Sequence, residues 1–322
     1  MSGNVRSIAC IGAGNVGRAW AIVFARAGYP VSLFDSNPAV VVDQALPMIR
    51  GSLQDLAAAG LLAEPAAVVE ARISAARTVE DAVTGAIHVQ ESVREDAVIK
   101  AALFAHIDRC TPPDAIIASS TSAIPGSAFM EHVAGRRRCL VAHPVNPPYL
   151  IPLVEICPSP WTDPGVTDEC YAFMEKVGQT PIRVNREIAG FILNRLQFVL
   201  VSEALHLVGE GYCSTDDVDK VLTAGLARRW AFIGPFEVAH LNATEGYRGF
   251  MHSLGDMIRT LAKDAKIDYE WDDRLVEEIH GQLAQRTPVA SVPERQAWRD
   301  RKLMAVARYL AEMRDAEPPT PP

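Results

Sequence analysis

Two residues twelve positions apart could move a proton. His143 lies in Ala142-His143-Pro144-Val145-Asn146-Pro147-Pro148, and Glu155 in Pro152-Leu153-Val154-Glu155-Ile156. Histidine gains and loses its proton near neutral pH, and a carboxylate behind it orients the ring and stabilises the imidazolium. A Pro-rich loop running into a short strand can bring the pair together as a dyad acting on a hydroxyl or a ketone. A second constellation opens the chain, Cys10-Ile11-Gly12-Ala13-Gly14-Asn15-Val16-Gly17. Gly12 permits a tight turn, Gly14 lets a pyrophosphate approach the backbone, Gly17 lets a helix pack on a strand, and the helix start offers free N–H groups. Asp35 closes the next strand, where its carboxylate would accept hydrogen bonds from an adenine ribose and repel a 2′-phosphate. Ser36-Asn37-Pro38 supplies no arginine to compensate, so NAD is favoured over NADP. A flavin can use the same glycine fingerprint, but the His–Glu pair argues for nicotinamide chemistry.

These groups need a scaffold. Ile8–Ile11 has a buried-strand pattern, Val16–Ala27 carries apolar residues at helical spacing up to Gly28, and Val31–Asp35 is a second strand, giving a βαβ unit with a right-handed crossover. Ser36-Asn37-Pro38 caps helices expected within 39–71, interrupted at Gly60 and Pro65. Further strands are expected at 86–90, 115–118, 139–141, 153–156 and 181–184, with a helix over 96–109. Beyond Asn185 the pattern is helical: a long helix over 188–210, then helices near 215–224, 247–263, 271–285 and 294–311. The fold expected is an α/β Rossmann-like N-terminal domain with a mostly parallel sheet (1–187), followed by an all-α C-terminal domain (188–322) for substrate and dimerisation.

Composition excludes several classes. With 322 residues and 49% hydrophobic content the chain can bury one large core or two moderate ones. A net charge of -8 gives no footprint for nucleic acid or an anionic membrane. The one basic run, Arg136-Arg137-Arg138, reads as a solvated turn entering a strand. Six cysteines without a paired spacing fit a reducing cytosol. No signal core and no long apolar run is present, so a soluble cytoplasmic protein is expected. The histidines other than His143 suggest no metal site, and the Pro-rich tail 317–322 is expected to be disordered.

With both motifs in hand, the chain resembles the 3-hydroxyacyl-CoA dehydrogenase superfamily, and within it the lambda-crystallin and L-gulonate 3-dehydrogenase branch. The resemblance runs through Val16-Gly17-Arg18-Ala19-Trp20-Ala21, His88-Val89-Gln90-Glu91-Ser92, 142–156, Ala189-Gly190-Phe191-Ile192-Leu193-Asn194-Arg195-Leu196 and Arg229-Trp230-Ala231-Phe232-Ile233-Gly234-Pro235. It implies that His143 takes the substrate hydroxyl proton as hydride leaves for nicotinamide, and that Glu155 orients the ring. It implies further that Ser122 and Asn194 hydrogen-bond the reacting oxygen. Asn194 falls inside the expected helix, where Asn is a poor helix former, which favours a functional reason for it. Glu95, Lys100 and Asn146 are implied as cofactor contacts, and Asn15 and Val16 as backbone contacts to the pyrophosphate.

The loop His143-Pro144-Val145-Asn146-Pro147 lacks the two aromatics of the acyl-CoA members' HFFNP. The segment 43–70 holds one basic residue, Arg50, against Asp43, Asp55, Glu64 and Glu70, so a CoA nucleotide finds little charge to pair with. A small L-3-hydroxy acid such as L-gulonate is the expected substrate. A 3-hydroxyacyl-CoA and a carnitine-like hydroxy acid remain the alternatives. The acid's carboxylate calls for an arginine, and Arg229 is the candidate, its rival role being an ion pair between subunits. A homodimer through the helical domain is the expectation the resemblance carries. A structural role without catalysis, as in lens crystallins, is the reading from another class.

Overall fold

The computed structural model describes residues 6–316; the expected disordered tail and the first five residues lie outside that range. The described residues fold as two compact units, 6–194 with 296–316, and 195–295.

The first unit is built on one eight-stranded sheet in the order β3-β2-β1-β4-β5-β6-β7-β8. The strands are β1 Ser7–Ile11, β2 Val31–Phe34, β3 Ile73–Ala75, β4 Ala86–Glu91, β5 Ile116–Ser119, β6 Cys139–Pro144, β7 Leu153–Pro158 and β8 Thr180–Arg183. Every neighbouring pair is parallel except β6 and β7. Both faces are covered, which is why these strands are nearly continuous in Val, Ile, Ala and Cys. Alternate residues divide between two cores: Ile8 and Cys10 face the cluster containing Trp20, Phe24, Leu53 and Met174, while Ala9 and Ile11 face the one containing Phe104, Ile107 and Phe129. Helix α1, Asn15–Arg26, follows β1 directly, and α2, Leu46–Ala58, is entered through a π-helical turn at Val40–Ala45.

Several elements differ from the sequence expectation. Strand β3 is three residues long, and the helices Val79–Val83 and Pro164–Lys176 add to those read from periodicity. The long helix runs Leu193–Gly209 rather than from 188, because Gly190 (φ 73°) and Phe191 (φ 48°) adopt left-handed backbone conformations that stop the turn N-terminal to it. Asn194 is therefore in the first turn, where its helix propensity counts for little, and not in an interior. Arg138 is not part of a solvated turn: its guanidinium is nearly enclosed, pairs with Asp108 at 2.8 Å and also donates to the Pro112 carbonyl.

The second unit is helical, with Thr215–Lys220 continuing through a π-helical turn at Val221–Leu226 into Ala227–Trp230, then Pro235–Leu241, Gly246–Asp264 and Asp273–Arg286. The last helix, Val292–Ala316, belongs to the first unit from Gln296 onward, where Met304 is buried in the core beside α1.

Candidate active site

The site collects at the carboxyl ends of the central strands, where an open α/β sheet leaves its crevice. A cavity of about 580 Å³ lies elsewhere, at the opposite strand ends beside Arg6, Gly85 and Ala115.

The glycine loop has the geometry its residues require. Gly12 sits at φ 100°, and a Cβ there would lie 2.6 Å from the Ser92 carbonyl oxygen. At Gly17 a Cβ would come within 1.8 Å of the Gly12 oxygen. Gly14 is different, since a Cβ there would meet nothing within 4 Å, leaving open space before the start of α1. No side chain caps that helix start. Open space before uncapped N–H groups fits a dinucleotide pyrophosphate. Asp35 stands beside it, accepting from Ala13 N–H through Oδ2 at 3.0 Å and from Asn37 N–H through Oδ1 at 3.1 Å. The carboxylate thus also fixes the loop from behind.

His143 and Glu155 meet through the sheet. Strands β6 and β7 are antiparallel, and their register sets His143 directly opposite Glu155. His143 Nδ1 lies 2.8 Å from Glu155 Oε2, with the histidine 4% exposed and the glutamate 0%. Glu155 Oε1 accepts from the backbone N–H groups of Ile192 and Leu193 at 2.8 and 2.9 Å, at the start of the helix Leu193–Gly209. Backbone N–H groups can only donate, so they fix Oε1 as an acceptor and favour the ionised carboxylate; with Glu155 ionised, Oε2 accepts from His143 Nδ1, and in that tautomer of the neutral ring Nε2 keeps its lone pair. Phe191 packs against the imidazole, ring centroids 5.5 Å apart.

Ser122 is exposed, on the turn after β5. Its carbonyl accepts from Asn194 Nδ2 at 2.7 Å, so the structure brings these two expected residues together. Glu95 Oε1 holds the same turn, accepting from Thr121 Oγ1 at 2.6 Å and from the N–H groups of Ser122 and Ala123 at 2.9 and 3.1 Å. Burial pushes the Glu95 carboxyl up, but these hydrogen bonds and the Lys100 charge outweigh it and hold the carboxyl below its ordinary range. Lys100 is enclosed, and its ammonium is taken up by Glu91 at 2.9 Å, with Glu95 at 3.5 Å. Such a lysine acts on the cleft through Glu95 and the Ser122 turn. Asn146 follows β6 in the loop with the cis Asn146–Pro147 bond. Arg229 is exposed in the second compact unit.

Several residues that matter here escaped the sequence reading. Buried Glu91 accepts from Lys100, Val93 N–H and Ser119 Oγ. Gln90 donates to Ser120 Oγ at 2.7 Å and to the Ala142 carbonyl at 3.2 Å, beside His143, and Trp20 Nε1 also donates to Ser120 Oγ. Three polar residues, His88, Gln90 and Glu91, in a strand of the buried sheet were the available signal. His88 bonds Gln90 Oε1 through Nε2, and burial pushes its pKa down to about 4. Away from the site, Glu80, His106 and Cys110 come within ligating distance of one another on the surface, a grouping the sequence reading did not anticipate.

The chain matches the family description "3-hydroxyacyl-CoA dehydrogenase, NAD binding domain" over residues 7–188 and "3-hydroxyacyl-CoA dehydrogenase, C-terminal domain" over 190–285. It belongs to the 3-hydroxyacyl-CoA dehydrogenase family and is an NAD-dependent oxidoreductase acting on CH–OH groups. It is 41% identical over 310 residues to the lambda-crystallin homolog of Bos taurus, covering 95% of this chain and 96% of that one. It is 35% identical to L-carnitine dehydrogenase of Streptomyces griseus, covering 98% and 93%. Among solved structures, 5-formyl-3-hydroxy-2-methylpyridine 4-carboxylic acid 5-dehydrogenase, an NAD+ dependent dismutase, aligns with TM-score 0.82 and 28% identity, covering 95% of this chain and 99% of that one.

Proposed function

We propose that this protein oxidises the 3-hydroxyl of a small L-3-hydroxy acid, L-gulonate-like, to the 3-keto acid. The observation that carries this reading is the buried His143–Glu155 hydrogen bond of 2.8 Å, which leaves Nε2 as the free base. Bound NAD supplies the hydride acceptor. His143 Nε2 accepts the substrate hydroxyl proton, the O–H pair becomes the second C–O bond, and the C3–H pair leaves as hydride. Glu155 faces the resulting imidazolium and stabilises it; in the reducing direction His143 returns the proton. Ser122 and Asn194 hold the reacting oxygen. The glycine loop, through Gly12, Gly14, Asn15, Val16 and Gly17, takes the pyrophosphate and Asp35 the adenine ribose; Glu95, backed by the enclosed Lys100, is a further cofactor contact, and Asn146 lies near the nicotinamide.

The substrate is a free acid because the segment that would hold a nucleotide phosphate has no cation to spare. Arg50, its only basic residue, is bound to Glu70 at 2.8 Å. The near full-length similarity to L-carnitine dehydrogenase favours a carnitine-like hydroxy acid as the second reading. Arg229 is the second unit's candidate for the carboxylate. Dimerisation through that unit is supported by its exposed apolar side chains, including Leu196 at 69% and Phe236 at 75%. Among the described residues no helix is long and apolar enough to cross a membrane, which accords with a cytoplasmic enzyme.

The test is NADH formation by the purified protein with L-gulonate, L-3-hydroxybutyrate, L-carnitine and 3-hydroxybutyryl-CoA. Turnover of the CoA ester well above every free acid would overturn the substrate reading.

A further inference from the structure

The first unit contains a second polar cavity, about 200 Å³, that the proton and hydride transfers do not use. Its lining includes Asn15 and Arg18 of α1, Ser52 of α2, Asn146, and Arg299 and Asp300 of the last helix. Two cations therefore meet there. Arg299 is neutralised, its Nε and Nη2 lying 2.8 and 2.7 Å from Asp300 Oδ1. Arg18 is not: among the described residues the one hydrogen-bond partner of its guanidinium is the neutral Asn15 Oδ1, at 2.8 Å. A guanidinium has five N–H donors, so most of Arg18's donors are still available. Burial pushes its pKa below the ordinary arginine value, offset only in part by Tyr149, in keeping with a guanidinium that is partly desolvated and has no carboxylate partner among the described residues. A partly desolvated, unpaired guanidinium is costly alone and favourable once an anion docks on it.

The position specifies which anion. Asn15 belongs to the glycine loop, and Asn146 stands three residues beyond His143, so the cavity is bounded by the cofactor loop and by the proton-transfer loop. An anion held there would lie between those two loops. The volume is that of a few heavy atoms, below the roughly 300 Å³ at which pockets for larger ligands begin. It admits a carboxylate and a short polyol or methylene stub, and no nucleotide.

We propose that Arg18 forms a carboxylate-binding site and holds the carboxylate of the hydroxy acid while His143 acts on its 3-hydroxyl. This rests on the small-acid reading above. The last helix completes the site by bringing Arg299 and Asp300 over it, so substrate size is restricted by a segment more than 270 residues away in sequence.

Arg18→Leu and Arg18→Lys are compared with the parent and with Arg229→Leu, using the best acid, its methyl ester, NADH titration, and malonate as a non-reacting carboxylate. Arg18→Leu should raise the acid KM and the malonate Kd by about 10- to 100-fold, the loss of a charge-assisted bond. The ester KM, the NADH Kd and the melting temperature should hold, and Arg18→Lys should recover part of the loss. An unchanged acid KM in Arg18→Leu overturns the proposal, as does a raised KM in Arg229→Leu alone. A weakened NADH Kd in Arg18→Leu also overturns it, by giving the arginine to a cofactor phosphate. Malonate binding that depends on Arg18, with no free acid turned over by the parent, supports the carboxylate site and overturns the small-acid reading instead.

Discussion

Replacing Glu155 by Gln tests the proton-transfer chemistry without emptying the site. The side chains are nearly isosteric, and Glu155 is fully buried with acceptor bonds to Ile192 N–H, Leu193 N–H and His143 Nδ1. A glutamine has one carbonyl oxygen. The two backbone N–H groups can only donate, so they retain that oxygen and turn the amide NH2 toward His143. His143 Nδ1 must then accept, which places the ring proton on Nε2, the atom that has to receive the substrate proton. The imidazolium also loses its counter-charge. Loss of general-base function is worth about 10² to 10⁴ in kcat, roughly 3 to 5 kcal/mol of barrier. Because the backbone bonds persist, the melting temperature and NADH affinity should change little. Initial rates across pH, with NADH titration and thermal melts as controls, measure this. A variant that melts like the parent, keeps its pH profile and turns over within about threefold of it would refute the tautomer argument.

His143→Ala should lower kcat by about 10² to 10⁴ with NADH affinity retained, as steady-state rates and cofactor titration will show; near-parental turnover would remove His143 from the chemistry. Asp35→Ala should chiefly raise the KM for NAD, since it removes the ribose acceptor and releases the Ala13 N–H; an unchanged KM would count against that role. His88 gives a pH prediction: its folded pKa of about 4 lies below the ordinary 6.5, so the unfolded chain binds the extra proton between those values. Stability is therefore full above about pH 6.5 and is lost as pH falls toward 4, by roughly 3 kcal/mol at the limit. Urea midpoints at neutral and acid pH should fall more steeply for the parent than for His88→Gln, and equal slopes would exclude His88 as the titrating group.

Local spacing settled a good deal in advance. Strand, glycine loop, helix and strand with Asp35 at its end are contiguous, and Gly12 and Gly17 are demanded by contacts within the same βαβ unit or beside its neighbour strand, while Gly14 leaves open space, so the βαβ unit with its glycine turn was legible from order alone. The helices of the second unit were likewise visible as periodic runs. What sequence could not decide was anything resting on pairing between distant segments. The dyad was identifiable as two residue types, but its geometry comes from the antiparallel register of β6 on β7 and from the N–H groups of Ile192 and Leu193. Asn194 changed meaning once Gly190 and Phe191 moved the helix start. Lys100 and Glu95 turned out to be joined to Glu91 and the Ser122 turn, and the last helix returned Arg299 to Arg18. The physical reason is the same each time. Backbone preference and hydrophobic period are written in neighbouring residues, whereas which carboxylate meets which donor is decided only when the sheet closes and burial leaves each polar group one set of partners.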